Sequence, residues 1–144
     1  MSTTVQVTFD CAEPDSLAQF WAAALGYVVQ PPPPGFDSWE QLLRQHDIPA
    51  EQWDSRAGVI DPDGNGPRLF FQRVPEGKTA KNRVHLDMHV AIGLGEDERR
   101  ARIEAEVTRL EALGASVLWR LEPEPMSGFC VAMTDPEGNE FCVD

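Results

Sequence analysis

Residues 84–90 alternate without a break: His85, Asp87 and His89 fall on one side, Leu86, Met88 and Val90 on the other. A period of two is that of a strand with two unlike faces. The apolar face belongs against a core; the face with three titratable side chains suits either a cavity lining or a solvated edge. Residues 4–10 alternate in the same way and are rich in β-branched side chains, which predicts a first strand. Residues 27–30 read as a second, short strand that stops at four consecutive prolines, Pro31 to Pro34.

Between these strands the period changes to that of a helix. Pro14 stands where a helix tolerates proline, in its first turn, with Glu13 and Asp15 favoured there by the helix dipole. Leu17, Phe20, Trp21, Ala24 and Leu25 form the apolar stripe, and Gly26 ends it. Residues 35–55 are an insertion with its own helical signals. Ser38 followed by Gln41 matches a capping box, and Pro49 opens a further turn that carries Trp53. Trp39 and Trp53 need something to pack on; they brace the sheet or form a lid over a pocket. Residues 57–60 and 68–74, separated by Asp61-Pro62-Asp63-Gly64-Asn65-Gly66, predict a hairpin.

The second half repeats this order. After the strand at 84–90 comes a helix over 97–113 with Ile103, Val107, Leu110 and Leu113 on its stripe, closed by Gly114. Strands follow at 116–121, 129–134 and 140–143. Ala24-Leu25-Gly26 is echoed by Ala112-Leu113-Gly114, and Asp61-Pro62-Asp63-Gly64-Asn65 by Asp135-Pro136-Glu137-Gly138-Asn139. The expectation is an α+β fold of two βαβββ modules in one 144-residue domain. The first covers 1–78 with the insertion at 35–55, and the second covers 82–144.

Composition narrows the function classes. A net charge of −12 opposes binding to nucleic acid or to an anionic membrane. No apolar run approaches the length of a membrane span, and no basic-then-apolar start reads as a signal peptide. Three cysteines, Cys11, Cys130 and Cys142, suit reduced thiols in a cytoplasmic protein. The one basic cluster, Lys78, Lys81 and Arg83, is a solvated linker or an anchor for an anionic group, with Arg68, Arg73 and Arg120 as helpers.

The paired modules resemble the vicinal oxygen chelate superfamily, which includes glyoxalase I, extradiol dioxygenases and the fosfomycin- and bleomycin-resistance proteins. The resemblance to its small bacterial glyoxalase-like domain proteins is carried by Asp10-Cys11-Ala12-Glu13-Pro14, Phe20-Trp21, Pro67 to Val74, Lys81 to Asp87, and the terminal Asp-Pro-Glu-Gly-Asn-Glu-Phe. It implies that each module curls its sheet into half of an open barrel. It also implies a small-molecule ligand, a homodimer, and ligand positions on the first and last strands of the modules. On this sequence those positions are Gln6, His85, Cys142, and Phe70 or Gln72. Glyoxalase I has carboxylates at both last-strand positions; this chain has none, which argues against ordinary glyoxalase I activity and against a hard divalent ion.

His85 remains the best single site residue, as base, hydrogen-bond partner or metal ligand, with Asp87 beside it and His89 on the same face. Gln6, His85 and Cys142 are weak metal candidates, Cys142 only as a thiolate to a soft ion. No cofactor is assigned, and a divalent ion stays open. Two readings follow. One is a binding protein whose pocket uses Phe70, Trp119, Phe129 and the insertion's tryptophans. The other is a lyase, isomerase or dioxygenase that acts on a small oxygenated metabolite through His85 and Asp87. Whether Cys130 and Cys142 share a face depends on a strand register that local pattern does not define.

Overall fold

The computed structural model describes residues 1–144, and the chain divides into two compact units, 1–77 and 78–144. The first unit runs β1 (Val7–Cys11), α1 (Pro14–Leu25), β2 (Val28–Val29), α2 (Trp39–Gln45), a 3₁₀ turn (Ala50–Gln52), β3 (Arg56–Ile60) and β4 (Leu69–Arg73). The second runs β5 (Asp87–Met88), α3 (Glu96–Leu113), β6 (Ser116–Leu121), β7 (Cys130–Thr134) and β8 (Glu140–Val143). The fold is mixed α+β. Each unit carries one open four-stranded mixed sheet, in the order β1-β4-β3-β2 and β5-β8-β7-β6.

In both units the first strand pairs in parallel with the last, while the hairpins are antiparallel. The helix between first and second strands supplies the crossover that a parallel pair needs. Gly26 and Gly114 close α1 and α3 with φ of 70° and 113°, a left-handed conformation that glycine adopts without a Cβ penalty. Alternation then sorts the strand residues. Val59, Leu69 and Phe71 of the first sheet are buried on one face, Val131, Met133, Phe141 and Val143 on one face of the second. The core of the first unit centres on Trp21, which meets Phe9 and Phe20 at ring-centroid distances of 5.4 and 5.3 Å.

Two expectations change. The strand foreseen at 84–90 is regular only over Asp87–Met88, because it lies at a sheet edge and its single neighbour, β8, is four residues long. Its pairing still continues through Cys142 N–H to Leu86 C=O and Val90 N–H to Asp144 C=O. Leu113 drops off the buried stripe of α3, being 37% exposed in the last turn. Glu106 is buried instead, since Arg109 and Arg102 neutralise its carboxylate. The insertion forms as foreseen: Ser38 Oγ accepts from the Gln41 N–H at 3.1 Å.

The segment entering the second unit is tied down by Glu140. Its carboxylate accepts the Asn82 backbone N–H at 2.9 Å and pairs with Lys78 at 3.1 Å. Lys78 is therefore a tether rather than an open anion anchor. The Asn82 bond, with the Lys78 charge assisting, lowers the Glu140 carboxyl from 4.5 to about 2. A depressed carboxyl adds stability that is present above its unfolded value and lost as pH falls through the folded one. The second unit should thus lose stability between pH 4.5 and about 2, and Glu140→Gln should flatten that part of an acid-unfolding curve followed by circular dichroism. Superimposable acid profiles for the two proteins would refute this tether.

Candidate functional site

The parallel register of β5 and β8 sets Asp87 directly opposite Cys142. On the next strand Ala132 stands opposite Cys142, and beyond it Trp119 stands opposite Ala132. One row thus crosses all four strands: Asp87, Cys142, Ala132, Trp119. It lies on the face away from the buried Val131, Met133, Phe141 and Val143, and Trp119 is half exposed there. The same register puts Cys130 on this face, diagonal to Cys142, which resolves the question left open by the sequence. All three cysteines are free thiols.

Asp87 is the hub of the row. One of its oxygens meets His85 Nδ1, two residues back on the same side, at 2.8 Å. Burial, followed by the Asp87 carboxylate, pushes the Cys142 thiol from 9.0 to about 11. The Cys130 thiol is also raised, again chiefly by burial. Cys142 is accordingly a neutral S–H at neutral pH rather than a nucleophile. Atoms of His85, Asp87 and Cys142 able to hold a metal ion lie within 4.8 Å of one another. With Nδ1 on Asp87, His85 Nε2 is left to act as acceptor, base or ligand.

The other site candidates take other places. His89 pairs with Asp144 one rung further along the same edge, outside the His85 cluster. Phe129 has no exposed surface: it packs in the core of the second unit beneath the Arg100 guanidinium, so it presents nothing to a ligand. In the first unit Gln6 Oε1 already accepts from Arg68 at 2.6 Å, and Gln72 donates to Asp10 at 2.7 Å. Neither is poised as a ligand to an ion. Phe70 lies under the Arg68 guanidinium, 4.9 Å from its ring centre, and borders a cavity of 610 Å³ roofed by the insertion. Arg73 and Arg120 are paired with Asp54 and Glu104.

Residues 6–143 match the family model of the glyoxalase-like domain. The chain belongs to that family. Its fold recurs in solved structures at low identity. A glyoxalase/bleomycin resistance protein/dioxygenase family enzyme from Burkholderia phytofirmans PsJN shares 12% identity over 96% of this chain and 94% of its own, with a TM-score of 0.64. A variant of the fosfomycin resistance protein FosX from Listeria monocytogenes, complexed with Mn(II) and 1S,2S-dihydroxypropylphosphonic acid, shares 10% over 99% and 89%, with a TM-score of 0.62. A glyoxalase-related enzyme from Fulvimarina pelagi shares 17% over 99% and 87%, with a TM-score of 0.59. No curated protein matches. No helix of this glyoxalase-like domain is long and apolar enough to cross a membrane.

The donor set can be tested against the Mn(II) of that relative. A hard ion prefers an all-oxygen or carboxylate-rich shell. Here the clustered donors are one imidazole, one carboxylate and one thiol, a set that suits a borderline ion such as Zn²⁺ with an open fourth position. The residues fit a metal of that kind and do not fit a hard one.

Proposed function

We propose that this glyoxalase-like domain binds a small oxygenated organic molecule on the open face of its second sheet, with His85 as the principal polar contact. The observation that carries the reading is the His85–Asp87 pair. A carboxylate on Nδ1 orients the ring and leaves Nε2 to accept from a ligand hydroxyl, while exposed Trp119 and Leu121 offer apolar area on the same sheet. A cytoplasmic location and a homodimer accompany this proposal.

A second reading is favoured by the same cluster. His85 held by Asp87 has the arrangement of a general base, and with Cys142 it would hold a Zn²⁺ ion, which would polarise a bound carbonyl. Asp87 would then be the carboxylate ligand beside the His85 imidazole, and Cys142 would have to give up its proton. Zn²⁺ binding should therefore strengthen as pH rises.

One set of titrations separates the readings. A ligand found by thermal-shift screening should lose about 1.5–3 kcal/mol, roughly ten- to a hundredfold in affinity, in His85→Ala. Lys78→Ala, which removes a tether, should cost well under about 1 kcal/mol of binding. Unchanged affinity in His85→Ala beside a large loss in Lys78→Ala would move the site away from the open face. Calorimetry with Zn²⁺ and Mn²⁺ adds the metal arm: saturable Zn²⁺ binding lost in both His85→Ala and Cys142→Ser supports the catalytic reading, and stoichiometric Mn²⁺ retention contradicts the donor argument.

A further inference from the structure

The cavity beneath the insertion lies wholly within the first unit and makes no use of His85. Its floor is the face of β3 and β4 that carries Gly58, Arg68 and Phe70, and its walls come from Trp39, Trp53 and their neighbours on the insertion. The tryptophans are fixed by their indole N–H groups, Trp39 on the Gln30 carbonyl at 2.8 Å and Trp53 on the Ile48 carbonyl at 2.9 Å. They brace the insertion and, in the same position, bound the cavity.

Arg68 is held there without being neutralised. Its Nε donates to Gln30 Oε1 at 2.7 Å and its Nη1 to Gln6 Oε1 at 2.6 Å, both neutral amides, and it takes part in none of the chain's ion pairs. Arg73, Arg100, Arg109 and Arg120, by contrast, each have a carboxylate partner. Gly58 makes the clamp possible: a Cβ there would stand 2.8 Å from Arg68 Nη2 and 2.9 Å from Gln30 Oε1. Arg56 also lines the cavity and also lacks an ion pair. Of the two acidic lining residues, Glu40 is neutralised by Arg44 at 2.7 Å. The other, Asp15, has its carboxyl raised from the ordinary range, first by burial and then by Asp54, while Arg73 opposes the rise. A guanidinium pinned by neutral acceptors keeps its full charge, and its Nη2, which makes neither of these bonds, is left to donate to an incoming anion.

We propose that this cavity binds a planar organic monocarboxylate, its carboxylate on Arg68 and its ring against Phe70 and the insertion's tryptophans. The charge selects the anion and the aromatic walls select a flat body over a compact inorganic ion.

The test uses the whole chain, calorimetry and tryptophan fluorescence, with benzoate, cinnamate and indole-3-acetate as probes and cinnamamide as the neutral match for cinnamate. At least one carboxylate should bind with a dissociation constant on the order of 1 mM or tighter. Cinnamamide should be weaker than cinnamate by roughly tenfold or more. Arg68→Gln should remove that preference, and Gly58→Ala should weaken the acid similarly by displacing the clamp. His85→Ala should leave all of these values unchanged, so failure here and failure of the His85 reading are told apart. Equal binding of acid and amide to the native chain overturns the proposal even if Arg68→Gln does not fold. So does an acid preference that survives Arg68→Gln, or no saturable binding of any of the three acids at about 10 mM.

Discussion

Trp21→Ala should destabilise the first unit by about 3–5 kcal/mol, the range for removing a fully buried large aromatic. Only 1% of Trp21 is exposed, and its ring sits between Phe9 of β1 and Phe20 of α1, while Phe9 stacks on Phe71 of β4 at 5.1 Å. The cavity left by alanine is lined by rings held on two strands and a helix, which cannot collapse without moving the sheet. The informative control is Trp53→Ala. Trp53 is half-buried, stands on the insertion, and makes one hydrogen bond to Ile48 and a stacking contact with Arg44. Its loss should leave the urea midpoint nearly unchanged while widening the cavity under the insertion. A loss below about 1 kcal/mol in Trp21→Ala would show that α1 does not anchor the first sheet.

The second large effect is expected at Asp135. The two Asp-Pro-x-Gly-Asn turns share a sequence pattern and a hydrogen-bonding scheme, but not an environment. Asp61 accepts the N–H groups of Asp63, Asn65 and Gly66 at an exposed turn, and these bonds draw its carboxyl below the ordinary range. Asp135 is 3% exposed, and accepts the N–H groups of Glu137 and Asn139 at 2.9 and 3.0 Å and the Asn139 side-chain amide at 2.9 Å. Water replaces Asp61 when it is removed. Nothing replaces Asp135, so buried donors go unpaired and Asp135→Ala should cost about 2–4 kcal/mol. β8 begins immediately after this turn, and a one-residue slip there would turn Cys142 off the open face. Asp61→Ala should leave thermal unfolding close to the native value. Equal effects at the two positions would mean that burial is not what distinguishes the turns.

What the sequence determined by itself is local. Helix starts and stops, the capping of α2 by Ser38, the two βαβββ modules and the matched turns all follow from backbone preferences within a few residues. Glycine at 26 and 114, proline at 14 and the Asp-Pro-x-Gly-Asn repeats are readable without knowing what lies opposite them. Alternation likewise assigned Asp87 and His89 to one side of their strand. It could not say that Asp87 would meet Cys142, that His89 would pair with Asp144, or that Cys130 would share their face, because each depends on the register of strands more than 40 residues away. Tertiary packing also decided against simple hydrophobicity. Phe129 went into the core while Trp119 stayed half exposed, and Glu106 was buried where Leu113 was not, since two arginines one turn away could neutralise the acid. Arg68 is the clearest case. Its sequence neighbours give no hint that two glutamines, one 62 residues back and one 38, would hold it uncompensated over Phe70, because only the folded sheet brings those strands side by side.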